Sequence, residues 1–314
     1  MKKRNRKKNF LLLKSVVALL LVTLLVWLID WTAVWSQVVD VNVYYLTLYT
    51  ILYITGLVIS AVKWQILASV HGFVYPFQKY FGWYLTGTFL NNFLPGFVGG
   101  DTYRSYRLGA GDKRYSQSSA TVTFDRISGL IAILVLVIVC GFLAVALSTV
   151  EPWLILAYTF VATTILLALF FWRISLVSLR AIVKRFLPQT FVVFLDDVVH
   201  YANRNIVVRT LSWSFLFAVV GLAVTNYTLF LSVGITLNII DFLSIIFLLS
   251  IISSIPISIN NIGVKEWGYV VMFGALGVAQ PAAVTVVLIG RFIQMLVSLF
   301  AVPLYLREKN DEIV

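Results

Sequence analysis

From Ile127 to Leu147 the chain reads ISGLIAILVLVIVCGFLAVAL, without one charged side chain. About 20 such residues in a helix cross the hydrocarbon of a bilayer, and this is the setting that best buries them. Comparable runs recur at roughly 10–29, 43–62, 119–148, 153–172, 210–233, 239–258 and 282–305. Two shorter apolar pieces, roughly 80–94 and 267–279, are marginal as complete crossings. The expected fold is an all-α polytopic membrane protein, a bundle of about 7–8 transmembrane helices. With 61% apolar and 12% charged residues over 314 positions, no stretch has the composition of a soluble catalytic domain.

The net charge of +11 is unevenly spread, and seven of the 24 Lys and Arg fall within MKKRNRKKNFLLLK at the start. A basic segment beside an apolar helix fits the positive-inside rule and attraction to anionic lipid. No nucleic-acid-binding module accompanies it, so no nucleic-acid partner is expected. The bulky WLIDWTAVWSQ that follows lacks the small residues of a signal cleavage site, which implies a retained first span with its N-terminus cytoplasmic. Loop charges then place Lys63 and Lys79 on the inner side. Trp27, Trp31, Trp35, Tyr44, Tyr45 and Tyr49 fit an interfacial aromatic belt. Cys140 is the sole cysteine, so there is no intrachain disulfide, and no metal-ligand spacing occurs.

Two stretches break the apolar pattern in the same order of ingredients. LNNFLPGFVGGDTYRSYRLG (90–109) carries Pro95, then Gly99 and Gly100, then Asp101 and Arg104. SSIPISINNIGVKEWG (253–268) carries Pro256, then Asn260, Asn261 and Gly263, then Lys265 and Glu266. Irregular backbone survives at membrane depth only where protein or a water-filled cavity satisfies its polar groups. Paired broken segments in two halves point to a transporter-type site, with freed helix N-termini available to an anion. Loops at the membrane surface are the other reading of both segments. The halves are 1–172 and 208–306 of one integral membrane domain covering 1–314. Between them, 174–207 reads as an amphipathic helix on the inner interface or as a solvated connector.

Charges inside the spans sharpen the question. Arg291 lies mid-run in TVVLIGRFIQMLVSLFAV, and Asp125 and Arg126 stand side by side in TVTFDRISGL. A central Arg costs about 2.5–3.5 kcal/mol on insertion scales and should face a partner in the bundle interior. Neighbours on a helix point about 100° apart, so Asp125 and Arg126 cannot neutralise each other and each needs a partner elsewhere. Arg104, Arg126, Lys265 and Arg291 stand against Asp101, Asp125 and Glu266, leaving one positive charge in surplus. Arg suits phosphate oxygens, so the set fits a lipid headgroup; a closed structural network is the alternative.

Four motifs in this order, LNNFLPGFVGGDTYRSYRLG, TFDRISGL, IPISINNIGVKEWG and GRFIQML, resemble the lysylphosphatidylglycerol synthase transmembrane-region family. The resemblance runs from about residue 10 to 306. It implies a flippase-like helical bundle with re-entrant elements that moves or handles lipids. Its implied headgroup site is Asn92, Asp101, Arg104, Asp125, Arg126, Lys265, Glu266 and Arg291. Its implied bend positions are Pro95, Gly99, Gly100, Pro256, Asn260, Asn261 and Gly263. The family usually reads proline–glycine–glycine where this chain has Ile259, Asn260 and Asn261; Asn tolerates left-handed backbone, which keeps the bend open to it. The soluble aminoacyl-transferase domain of fused members has no counterpart in these residues.

The expected function is therefore a lipid flippase or lipid-transport protein of the cell membrane, handling an anionic phospholipid. No cofactor is expected, and the residues show no catalytic motif. Two other readings stay open. One is a membrane-embedded transferase acting on a lipid or polyprenyl phosphate, with Asp101, Asp125 or Glu266 as base. The other is an adaptor subunit serving a separate lipid-modifying enzyme.

Overall fold

Short polar side chains start the helices. Asp30 accepts from the N–H groups of Thr32 and Ala33, and Asn42, Asn203 and Asn238 each accept from the N–H two residues on. Each cap satisfies a donor that a helix N-terminus leaves open. The computed structural model describes residues 19–93, 98–147, 203–255 and 258–311, with Val16 and a few positions between 160 and 201. The described helices are α1 (Leu19–Leu28), α2 (Trp31–Val39), α3 (Val43–Val70), α4 (Phe77–Phe93), α5 (Val98–Ala110) and α6 (Tyr115–Leu147). They continue with α7 (Arg204–Ser232), α8 (Ile239–Ser254), α9 (Val264–Gly274), α10 (Gln280–Leu299) and α11 (Ala301–Asp311). No strand occurs among the described residues.

Four helices are long and apolar enough to cross a membrane: α3, α6, α7 and the run Gln280–Leu306. The pair α1 and α2 makes a fifth only if it counts as one span, although it bends by 83° at the Asp30 cap. This multi-pass helical architecture matches the expected class, with four to five candidate crossings among the described residues. The run read over 239–258 is shorter as a helix: α8 has 16 residues, because Ile255 turns extended before Pro256. The span expected over 153–172 and nearly all of the connector 174–207 lie outside the described residues, as do Pro95 and Pro256.

Helix α3 sits centrally and packs on α4, α6 and α7, while α6 also packs on α5 and α8. Where α3 crosses α7, Gly56 faces Gly221, and a Cβ built on Gly56 would stand 2.9 Å from the Gly221 Cα. Small residues let helix backbones approach this closely. On α7 the crossing falls in a π-helical stretch, Phe217–Val224, where Thr225 Oγ1 donates to the Val220 carbonyl at 2.7 Å. A second knot of packing is aromatic, with Phe230 centred 4.5 Å from Phe273 and 5.5 Å from Phe242. Large apolar side chains such as Trp27, Phe142 and Val271 point outward, as expected for a lipid-facing surface.

Candidate functional site

Helix α5 starts at the glycine pair of the first motif. The Gly100 N–H donates to Asn91 Oδ1 at 2.9 Å, and a Cβ on Gly100 would lie 2.1 Å from the Gly87 carbonyl oxygen. Glycine is needed here because the α5 backbone rests directly on α4. One turn later, α5 delivers Asp101 and Arg104 toward α6, where Asp125 and Arg126 wait.

The two neighbours on α6 find separate partners. Asp125 is buried and takes Arg104 Nη2 on Oδ2 at 3.0 Å and Lys63 Nζ on Oδ1 at 2.8 Å. Arg126 points the other way and grips Asp101 as a fork, Nε to Oδ2 and Nη2 to Oδ1, both at 2.9 Å. Asp101 also lies 3.6 Å from Arg104 Nη1, so a carboxylate sits between two guanidinium groups. Two aromatic faces clamp Arg104: its guanidinium carbon is 4.4 Å from the Trp64 ring centre and 4.2 Å from that of Tyr84. Such contacts hold a cation that has lost its water. Lys63 completes the set by donating to the Asp125 carbonyl at 3.1 Å and to Ser214 Oγ at 3.3 Å.

Lys63 corrects the sequence reading, which placed it in an inner loop. Helix α3 runs on to Val70 with no breaker, so Lys63 is within the helix and buried. The readable signal was AVKWQILASV, which contains neither Gly nor Pro before Gly72. Tyr49 is a second correction: it is fully buried, donates to the Gly290 carbonyl at 3.3 Å and accepts from Gln294 Nε2 at 3.0 Å.

The second motif forms its own smaller cluster. Asn260 and Asn261 take positive φ values of 49° and 52°, and Gly263 takes 83°. The left-handed bend therefore persists with asparagines in place of the expected glycines. Asn261 Nδ2 donates to the Ser253 carbonyl, tying the bend to the end of α8. Glu266 accepts from the Gly263 N–H at 2.7 Å and from Arg291 Nη2 at 2.7 Å. Arg291 Nη1 also donates to the Asn260 carbonyl at 3.2 Å. Lys265 stands apart from the Asp101 group, with Nζ 5.9 Å from the Tyr269 ring centre.

A cavity of about 250 Å³ opens between these clusters. Asn91, Asn92, Asp101, Arg104 and Arg126 line one side of it, and Asn260 and Gln294 another. Tyr53, Tyr84 and Phe217 supply aromatic wall. Asn92 also ties the cavity to α10, donating to Ser298 Oγ at 2.9 Å. Asp125, Lys265, Glu266 and Arg291 are not among the lining residues; Asp125 and Lys63 lie behind Arg104, and Arg291 holds the Asn260 backbone in place. The first cluster sets three cations, Lys63, Arg104 and Arg126, against two carboxylates, so it carries one positive charge more than it neutralises. Arg104 is sealed in, but Arg126 keeps 49% of its side-chain surface and is the guanidinium within reach of an incoming group.

Fold and site together define a helical, multi-pass membrane protein with a polar, charged interior cavity. The family described as "Lysylphosphatidylglycerol synthase TM region" matches residues 11–301, and the chain belongs to it. Comparison with curated proteins and with solved structures gave no match.

Proposed function

We propose that this protein binds an anionic phospholipid headgroup in the cavity and passes it across the membrane, as a flippase or lipid transporter. The observation that carries the reading is the cavity itself, walled by residues of both broken motifs and rich in positive charge. Arg126 and Arg104 would hold the phosphate while the acyl tails stay in lipid, and Asn92 and Gln294 would bond the polar remainder. Membership of a lipid-handling membrane family supports the same assignment. We place the chain in the cytoplasmic membrane with its basic N-terminal segment inside. The transferase reading has less support, because Asp101, Asp125 and Glu266 are each engaged by an Arg or Lys rather than poised as a base.

Proteoliposomes with fluorescent phosphatidylglycerol test the proposal. Wild type should render inner-leaflet probe accessible to a membrane-impermeant quencher, and Arg126→Ala should not. Failure of purified, folded wild type to move any phospholipid would reject transport; binding without movement would favour the adaptor role.

A further inference from the structure

Asp101 occupies the place that a ligand anion would need. Its two oxygens meet Arg126 Nε and Nη2 in parallel at 2.9 Å, the fork geometry that a phosphate would also use. This pair lines the cavity, and Arg126 is the more open of its two guanidinium groups. A second cation is already beside the carboxylate: Arg104 Nη1 lies 3.6 Å from Oδ1, just beyond a hydrogen bond. Arg104 cannot follow a ligand, since Asp125 and the Trp64 and Tyr84 rings hold it. Asp101 also sits in the first turn of α5, where the helix dipole favours a negative charge after its partner leaves.

We propose that Asp101 is a resident stand-in for the headgroup anion: an entering phosphodiester takes Arg126 and Asp101 shifts onto Arg104. This deepens the function proposed above and rests on it. Because the carboxylate must be displaced, Asp101 sets the charge threshold of the site. A monoanionic oxyanion with two free oxygens competes for the fork. A neutral headgroup does not. One positive charge in surplus is what one phosphodiester neutralises, with every other member of the cluster still paired.

The test measures binding of labelled phosphatidylglycerol by the purified full chain in phosphatidylcholine nanodiscs. A parallel arm with inorganic phosphate separates a lipid headgroup from a free ion. Asp101→Asn removes the competitor but keeps the shape, and should tighten phosphatidylglycerol binding about tenfold, the equivalent of one charged hydrogen bond. Arg126→Lys keeps the charge without the fork and should weaken it about tenfold on the same basis. If wild type binds phosphatidylglycerol and Asp101→Asn binds equally or more weakly, the stand-in is refuted while the headgroup site survives. Unchanged binding by Arg126→Lys likewise refutes it, and does so even if the Asp101 variant fails to fold. If neither wild type nor Asp101→Asn binds phosphatidylglycerol, both proposals fall. Competition by inorganic phosphate alone would refute the lipid assignment.

Discussion

Lys63 Nζ lies 2.8 Å from Asp125 Oδ1, with both side chains buried, on two helices whose residues are 62 positions apart in sequence. The ion pair joins α3 to α6 behind the cavity wall and leaves the other carboxylate oxygen to Arg104. Removing one member of a buried pair leaves an uncompensated charge, typically at a cost of about 3–5 kcal/mol. Asp125→Asn strands two buried cations, whereas Lys63→Met leaves Asp125 with Arg104. Thermal unfolding of the purified variants should show the larger loss for Asp125→Asn. The reverse order would mean that Lys63 is the principal partner.

Glycine at 100 is a steric requirement. A Cβ there meets the Gly87 oxygen at 2.1 Å, so Gly100→Ala should push α5 off α4, misplace Asp101 and abolish transport. Gly141→Ala provides the control, because nothing lies within 4 Å of its Cβ, and it should fold normally. Yield of monodisperse protein in detergent reports both.

The bend at Asn260 and Asn261 should accept glycine and reject branched residues. Left-handed backbone costs a non-glycine residue about 1–2 kcal/mol, more when it is β-branched. Asn260→Gly should leave the melting temperature close to wild type, and Asn260→Val should lower it. Asn261→Gly carries an extra loss, that of the bond to the Ser253 carbonyl, and should be the less tolerated of the two glycine variants.

Glu266 joins two functions that a single substitution separates from the first cluster. Glu266→Gln keeps the size and weakens the hold on Arg291 and on the Gly263 N–H. Transport should fall by about tenfold or more, the loss of one charged hydrogen bond, while binding at Arg126 changes little. Equal loss of binding and transport would show the two clusters to be one site.

Accessibility can be mapped against a clean background, since Cys140 is the sole cysteine. In Cys140→Ala protein, Thr88→Cys on the cavity wall should react with a small water-soluble maleimide and be shielded by phosphatidylglycerol. Leu134→Cys, whose position is fully buried, should stay unlabelled.

Several features of this site were legible from residue order alone. Adjacent charges on one helix cannot satisfy each other, and this argument alone required separate partners for Asp125 and Arg126. Arg104 with Lys63, and Asp101, are those partners. Lys63 itself escaped because hydropathy marks where apolar residues stop, whereas a helix continues until a breaker stops it. Tyr49 escaped for a related reason: it lies one turn beyond Tyr45, and an aromatic count near a boundary does not say which face turns inward. Lys265 was grouped with the other interior cations by its place in the motif. Only the three-dimensional path shows that α9 carries it beside Tyr269 instead.

The π-helical stretch on α7 has a consequence for how this chain can vary. Relative to a regular α-helix, a π turn holds one residue too many, and each residue on a helix accounts for about 100° of rotation. Everything after Val224 is therefore phased by that extra residue, including Asn226, whose Oδ1 accepts from the Tyr269 hydroxyl at 3.0 Å. Deleting one residue between Phe217 and Val224 would heal the helix locally and turn Asn226 away from Tyr269. An insertion or deletion that looks harmless in an alignment of apolar letters would thus act like a rotation of half a helix. The length of this span is as much a part of its code as its composition.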